Sequence, residues 1–284
     1  EVNVPEGYTS TVSGDAKNGF TITNSHTPET TQVSGTKTWN DSKDQDGKRP
    51  GSITVKLLAN GIEKASKTVT AKDDWKYSFT NLPKYADGQL ISYTVTEDGV
   101  EDYQTTISGY DITNSYTPGK TSITVTKAWS DNNDQDGKRP QDIKVQLYAG
   151  EDKCGEEVTL NTGNNWSYIW TGLNEKKAGT VISYSVKEVN VPEGYTSTVS
   201  GDAKNGFTIT NSHTPETTQV SGTKTWSDSN NQDGKRPGSI TVNLLANGTK
   251  IDSKTVTEKE NWKYIFTNLP KYENGKGITY TITE

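Results

Sequence analysis

Three short stretches repeat one unusual pairing: Thr36-Lys37-Thr38-Trp39, Thr126-Lys127-Ala128-Trp129 and Thr223-Lys224-Thr225-Trp226. Each lies in an extended, Thr-rich run, where side chains alternate between two faces. The tryptophans must face a core, so the lysines two residues earlier face it as well. A charge aimed into an apolar interior is costly unless something neutralises it. Two further strand patterns supply candidates. The rows Ile91, Tyr93, Val95, Glu97 and Ile182, Tyr184, Val186, Glu188 end in an inward carboxylate, as does Ile278, Tyr280, Ile282, Glu284. The rows Tyr110, Ile112, Asn114, then Phe207, Ile209, Asn211, then Phe20, Ile22, Asn24 end in an inward carboxamide.

Lysine, glutamate and asparagine brought together in a dry core can form an amide between side chains. Burial disfavours both the ammonium and the carboxylate, so a proton shared between Lys37 and Glu97 leaves the pair near neutral. A protonated Glu97 can polarise the carboxamide of Asn114. Lys37 then attacks its carbon, Glu97 relays protons and ammonia leaves. Fixed geometry of this kind is worth about 7–11 kcal/mol of barrier. The same residues also suit a buried Lys–Glu salt bridge with asparagine as a hydrogen-bond partner. Taken from the residues alone, both readings stand.

The elements that must position this set are short strands. Residues 1–39 are identical to residues 188–226, so the chain contains an internal repeat. The motif lysines lie 90 and 97 residues apart (127 − 37 and 224 − 127). Each period reads as a lysine strand, a polar loop (Asp41 to Pro50), Ile53–Leu57, an Asn60-Gly61 turn, the row Trp75, Tyr77, Phe79, then the glutamate and asparagine strands. Such spacing indicates a β-sandwich. Thr-Pro pairs at Thr27-Pro28, Thr117-Pro118 and Thr214-Pro215 close each period, and the short linkers after them predict a semi-rigid string. The expected division is a C-terminal piece of a preceding repeat (1–28), complete repeats at 31–117 and 120–215, and a repeat at 218–284 that stops before its last strands. The chain is expected to be a window from a longer array.

Composition agrees with thin β-domains. Hydrophobic residues make up 29% of the chain, Met is absent, and the net charge of −6 forms no basic stripe, which argues against a nucleic-acid partner. No run approaches the roughly 20 apolar residues of a membrane span. Cys154 stands alone, so no intrachain disulfide can staple the domains.

These stretches resemble the collagen-adhesin B-type (Cna B) repeats of Gram-positive surface adhesins and pilins. The matching text is Lys-Thr-Trp, Asp-Gly-Lys-Arg-Pro (46–50), Ile-Thr-Val-Lys-Leu-Leu-Ala-Asn-Gly (53–61), Trp-Lys-Tyr-Ser-Phe-Thr-Asn-Leu-Pro (75–83), Tyr-Thr-Val-Thr-Glu (93–97) and Ile-Thr-Asn (112–114). The resemblance implies all-β, immunoglobulin-like sandwiches, many of which carry an autocatalytic Lys–Asn isopeptide bond promoted by a carboxylate. It implies crosslinks between Lys37 and Asn114 and between Lys127 and Asn211, with Glu97 and Glu188 as proton relays. Lys224 with Glu284, and Asn24 with Glu1, would be half-sets unpaired in this chain. The implied role is a stalk or spacer in a cell-surface adhesin or pilus-like protein, extracellular and anchored to a bacterial cell wall, without cofactor or metal. Host extracellular-matrix contact would come through other parts of the full-length protein. The incomplete end repeats could associate head to tail.

The alternative function is a ligand-binding module for a host matrix protein or glycan. Near-identical repeats favour a spacer, and an enzyme finds no Ser/His/Asp set, metal cluster or phosphate loop. The acidic loops (Ser42, Asp44, Asp46, Gly47; Asn132, Asp134, Asp136, Gly137; Ser229, Asn231, Asp233, Gly234) resemble calcium loops. However, Ile53, Ile143 and Ile240 stand where a bidentate Glu is needed. They read as solvated Asx-rich turns. His26 and His213 read as lone linker histidines, Cys154 as a solvent-exposed thiol, and Trp75, Trp166, Trp170 and Trp262 as sandwich core.

Overall fold

The period-two alternation predicted for Ile53–Leu57 appears directly in the burial of the strand Ser52–Ala59. Ile53, Val55, Leu57 and Ala59 are buried, while Thr54, Lys56 and Leu58 between them are half-exposed. The computed structural model describes residues 1–284 and contains two compact units. One is Glu1–Gly119 with Asn174–Val181, and the other is Lys120–Leu173 with Ile182–Glu284. No helix is long and apolar enough to cross a membrane.

In the first unit the lysine strand, Thr30–Asn40, is central to a four-stranded sheet. Its first half pairs antiparallel with Lys76–Pro83, and its second half pairs parallel with the asparagine strand, Asp111–Ser115. Gln104–Ser108 completes the sheet by pairing with the asparagine strand. The facing sheet holds Ile62–Thr70, Ser52–Ala59 and the glutamate strand, Tyr93–Glu97. Val33, Tyr77, Phe79 and Ile112 from one sheet meet Ile53, Val55, Leu57, Val69 and Val95 from the other in a single buried cluster. This is an all-β, immunoglobulin-like sandwich, as the sequence predicts. Gln104–Ser108 escapes sequence reading because it is exposed throughout and carries one apolar residue, Ile107, so it has no inward row to detect.

The second unit repeats the arrangement. Lys120–Ser130 lies between Ser167–Asn174 and Gly206–Ser212, with Thr196–Asp202 outside, against a sheet built on Asp142–Ala149. A further cluster around Leu244 and Phe266 belongs to the last repeat. There the lysine strand ends at Thr223, and Lys224, Thr225 and Trp226 lie outside any ladder. The cause is local. In the first unit, residues 37–40 are held in strand form by their parallel partner, residues 112–115, and no such partner exists for 224–226.

Candidate crosslinking site

The parallel register sets the geometry. Lys37 stands opposite Ile112, and Trp39 opposite Asn114. Residues in parallel register share a face, so Lys37 and Asn114 are diagonal neighbours on the inner face, one residue pair apart. Glu97 arrives from the opposite sheet, in register with the fully buried Val55. The three residues singled out in the sequence therefore converge between the sheets from three separate strands.

Lys37 is 2% exposed, and its Nζ lies 2.8 Å from Glu97 Oε1 with both side chains sealed from solvent. The pair is close but misaligned, since neither atom makes a well-directed hydrogen bond. Thr105 Oγ1 donates to the other carboxylate oxygen at 3.1 Å. Nζ also lies 4.5 Å from the Trp39 ring centroid. Burial pulls the Lys37 pKa down from its ordinary value, against the opposing pull of the nearby Glu97 carboxylate. Asn114 is fully buried, and neither its Nδ2 nor its Oδ1 has a hydrogen-bond partner. A buried carboxamide with both ends unsatisfied costs free energy that folding normally avoids.

The second site holds the same residues in another arrangement. Lys127 again stands opposite an isoleucine, Ile209, and Trp129 opposite Asn211. Here Asn211 Nδ2 donates to Glu188 Oε1 at 2.8 Å, and Ser197 Oγ donates to Glu188 Oε2 at 2.8 Å. Lys127 Nζ donates to the Ala128 carbonyl at 2.9 Å and sits 3.9 Å from the Trp129 ring centroid. Burial pushes its pKa down to about 8, outweighing the charges of Glu188 and Asp131.

The two half-sets are not buried. Lys224 Nζ meets Glu284 Oε2 at 2.8 Å with side chains 26% and 49% exposed. Asn24 Nδ2 donates to Glu1 Oε1 at 3.1 Å on an exposed hairpin.

A second buried system lies beside Lys37 and Lys127 and was not anticipated. Asp41 accepts from Arg49 Nη2 at 2.6 Å and Nε at 2.9 Å, and from the Tyr103 hydroxyl at 2.9 Å. Burial alone would raise the Asp41 pKa, but Arg49, the Asp44 amide and Tyr103 hold it below the usual carboxylate value. Asp131, Arg139 and Tyr195 repeat the cluster, and Asp228 with Arg236 repeats its ion pair. An aspartate eight residues before an arginine in all three copies is the signal that could have found it.

The first two acidic loops are thus not solvated turns, whereas Ser229 and Asp233 of the third are exposed, as expected. Asp41, Asp46, Asp131 and Asp136 are all buried, because arginine, tyrosine, histidine and backbone groups close over them. His213 is not a lone linker residue either: its Nε2 lies 2.9 Å from Asp136 Oδ2. Cys154 is half-buried and packs against the second core, so it is not a freely exposed thiol. Trp170 is buried, and Trp75, Trp166 and Trp262 are partly buried against their cores, as expected.

The family model of the Cna protein B-type domain matches residues 33–115, 123–212 and 220–284. The chain belongs to the Cna protein B-type domain family. It is 51% identical over its whole length to the collagen adhesin of Staphylococcus aureus, of which it spans 24%. It is 30% identical to the serine-aspartate repeat-containing protein D of Staphylococcus aureus (strain Newman), covering 87% of this chain and 22% of that protein. The crystal structure of two B repeat units of the collagen binding protein of Staphylococcus aureus superposes with a TM-score of 0.57. That match is 52% identical and covers 90% of this chain and 68% of that one. The chain thus spans about a quarter or less of the length of these curated relatives.

Proposed function

We propose that this chain is a set of stalk repeats from an extracellular, cell-wall-anchored bacterial adhesin or pilus-like protein, stiffened by autocatalytic Lys–Asn isopeptide bonds. The observation that carries the crosslink is Asn114, fully buried with neither end hydrogen-bonded, diagonal to a buried Lys37 that Glu97 contacts. Passing a proton from Lys37 Nζ to Glu97 leaves a neutral amine. Nζ attacks Asn114 Cγ, Glu97 delivers the proton with which Nδ2 departs as ammonia when the Cγ–Nδ2 bond breaks, and Nζ gives its second proton back to Glu97 as the amide forms, which leaves Glu97 protonated. Lys127, Glu188 and Asn211 take the same roles in the second repeat. The reaction turns over once per site and needs no cofactor, so the chain is not an enzyme in the ordinary sense.

The bonds would close loops of 77 and 84 residues (114 − 37 and 211 − 127), each worth roughly 4–5 kcal/mol. Each joins the first strand of a sandwich to its last. Tension entering at one end would pass through a covalent bridge and leave the rest of the sandwich unloaded. The repeat boundaries follow this logic, with complete sets at 31–117 and 120–215, a C-terminal piece at 1–28 and an open repeat at 218–284. Host-matrix contact, as the name of the collagen adhesin suggests for that protein, would lie in other parts of the full-length molecule.

The crosslink itself is tested by intact mass: one ammonia lost for each of the two complete sets, with the loss abolished at one site by Glu97→Ala and at the other by Glu188→Ala. An unshifted wild-type mass would sink the proposal.

A further inference from the structure

The loop after each lysine strand holds the segment that leaves its own repeat. In the first unit Asp46 Oδ2 accepts from the Tyr116 hydroxyl at 2.8 Å and from the Gly119 amide at 2.9 Å. The Gly179 amide donates to the Gln45 carbonyl at 3.1 Å. The second unit repeats this socket between its two repeats. Asp136 Oδ2 accepts from the Glu216 amide at 2.8 Å, and the Gly275 amide donates to the Gln135 carbonyl at 3.0 Å. Gly137 and Gly275 approach so closely that a Cβ on Gly137 would stand 2.5 Å from Gly275 Cα. Gly119 of the first socket is Glu216 in the second, each donating its backbone amide, and the side chain on the aspartate also differs. Where the first has Tyr116, the second has His213.

That ring has two acceptors. Nε2 faces the carboxylate of Asp136 at 2.9 Å, and Nδ1 faces the Gly194 carbonyl at 2.7 Å. The His213 side chain is 8% exposed and that of Asp136 is fully buried. A neutral imidazole carries one N–H and can satisfy one of these acceptors, while the imidazolium donates to both. Tyr116 has no such dependence, because its hydroxyl donates to Asp46 throughout the neutral range.

We propose that His213 and Asp136 form a proton-dependent clamp between the second and third repeats, while the Tyr116–Asp46 socket holds regardless of pH. The charged and titratable neighbours are Asp136 and Lys138 from the loop, Tyr195 with its ring tilted against the imidazole at 5.3 Å between centroids, and Glu216 in the linker. Glu216 also bridges Lys138 and Lys271, each at 2.8 Å. Asp136 and the Gly194 carbonyl raise the His213 pKa, against burial and Lys138. The sign follows from that direction. The clamp is complete below the ordinary histidine value of 6.5 and is lost as pH rises through the raised one.

The test is amide hydrogen exchange on the full chain, comparing Glu216 and Gly275 with Gly119 and Gly179 of the first socket as internal references, alongside an NMR titration of the two histidines. His213 is expected to titrate above the ordinary histidine value of 6.5, and protection at Glu216 and Gly275 is expected to fall roughly tenfold relative to the references across that titration, the loss due to one charge-assisted hydrogen bond. His213→Tyr should make the two sockets respond alike. The proposal is overturned if His213 titrates at or below the ordinary histidine value of 6.5, if the four amides keep a constant ratio across the titration, or if His213→Tyr leaves the difference in place.

Discussion

The two complete sites carry the same lysine, glutamate and asparagine on the same strands, yet their carboxylates point to different partners. Glu97 contacts the amine of Lys37, whereas Glu188 accepts from the carboxamide of Asn211. The backbone registers are equivalent, with lysine opposite isoleucine and tryptophan opposite asparagine in both. A carboxylate delivered from the facing sheet can therefore reach either the amine or the carboxamide by side-chain rotation alone. A proton relay requires that reach, since it must first take a proton from the nucleophile and later give one to the leaving nitrogen. A static salt bridge would need only the first of the two arrangements.

Removing the carboxylate should have the largest effect and should erase the difference between the sites. Glu97→Ala leaves Lys37 buried without its partner, which costs about 3–5 kcal/mol, and it also prevents the staple. Its first repeat should unfold well below wild type in urea, while the second repeat keeps its midpoint.

Asn114→Ala and Asn211→Ala separate the staple from the ion pair. Each should lower the stability of its own repeat by roughly 4–5 kcal/mol, and under force each mutant repeat should extend where the wild-type repeat does not. Equal extension of wild type and mutant would show that no covalent bridge bears the load.

A smaller effect should come from pH. In Asn211→Ala, Lys127 stays a free amine, with a folded pKa of about 8 against 10.5 in the unfolded chain. Between these values the unfolded chain binds more protons, so stability should rise with pH across that window. Wild type, with the amine consumed, should lack this component. The check is the difference between variant and wild-type urea midpoints at pH 8 and at pH 10.

The smallest effect concerns the hydroxyls that fix each carboxylate. Thr105→Val and Ser197→Ala each remove one donor to the glutamate and should cost about 1 kcal/mol. Crosslinking should slow but still reach completion by mass.

The sandwich fold and the converging triad were legible because inward rows of three apolar residues ending in one polar residue declare both the strand and its face. Gln104–Ser108 was not legible, since an exposed edge strand carries no such row. The acidic loop was misjudged for a different reason. Asp46 and Asp136 look solvated in sequence because the groups that bury them, Tyr116 with Gly119 and His213 with Glu216, lie 70 to 80 residues away. Arg49 was within reach of inspection, but its partner Asp41 is separated from it by a loop whose positive-φ residues Ser42, Lys43 and Asp44 reverse the chain. Periodicity does not encode that reversal.

The most direct measurement of the central claim is peptide mapping by mass spectrometry after proteolysis of the whole chain. The expected result is two branched peptides, one joining Lys37 to Asn114 and the other Lys127 to Asn211, each lighter than its summed parts by one ammonia, with Lys224 of the monomer in an ordinary linear peptide. Recovery of Lys37 and Lys127 in linear peptides as well would contradict the account and leave both sites as buried salt-bridge and hydrogen-bond clusters.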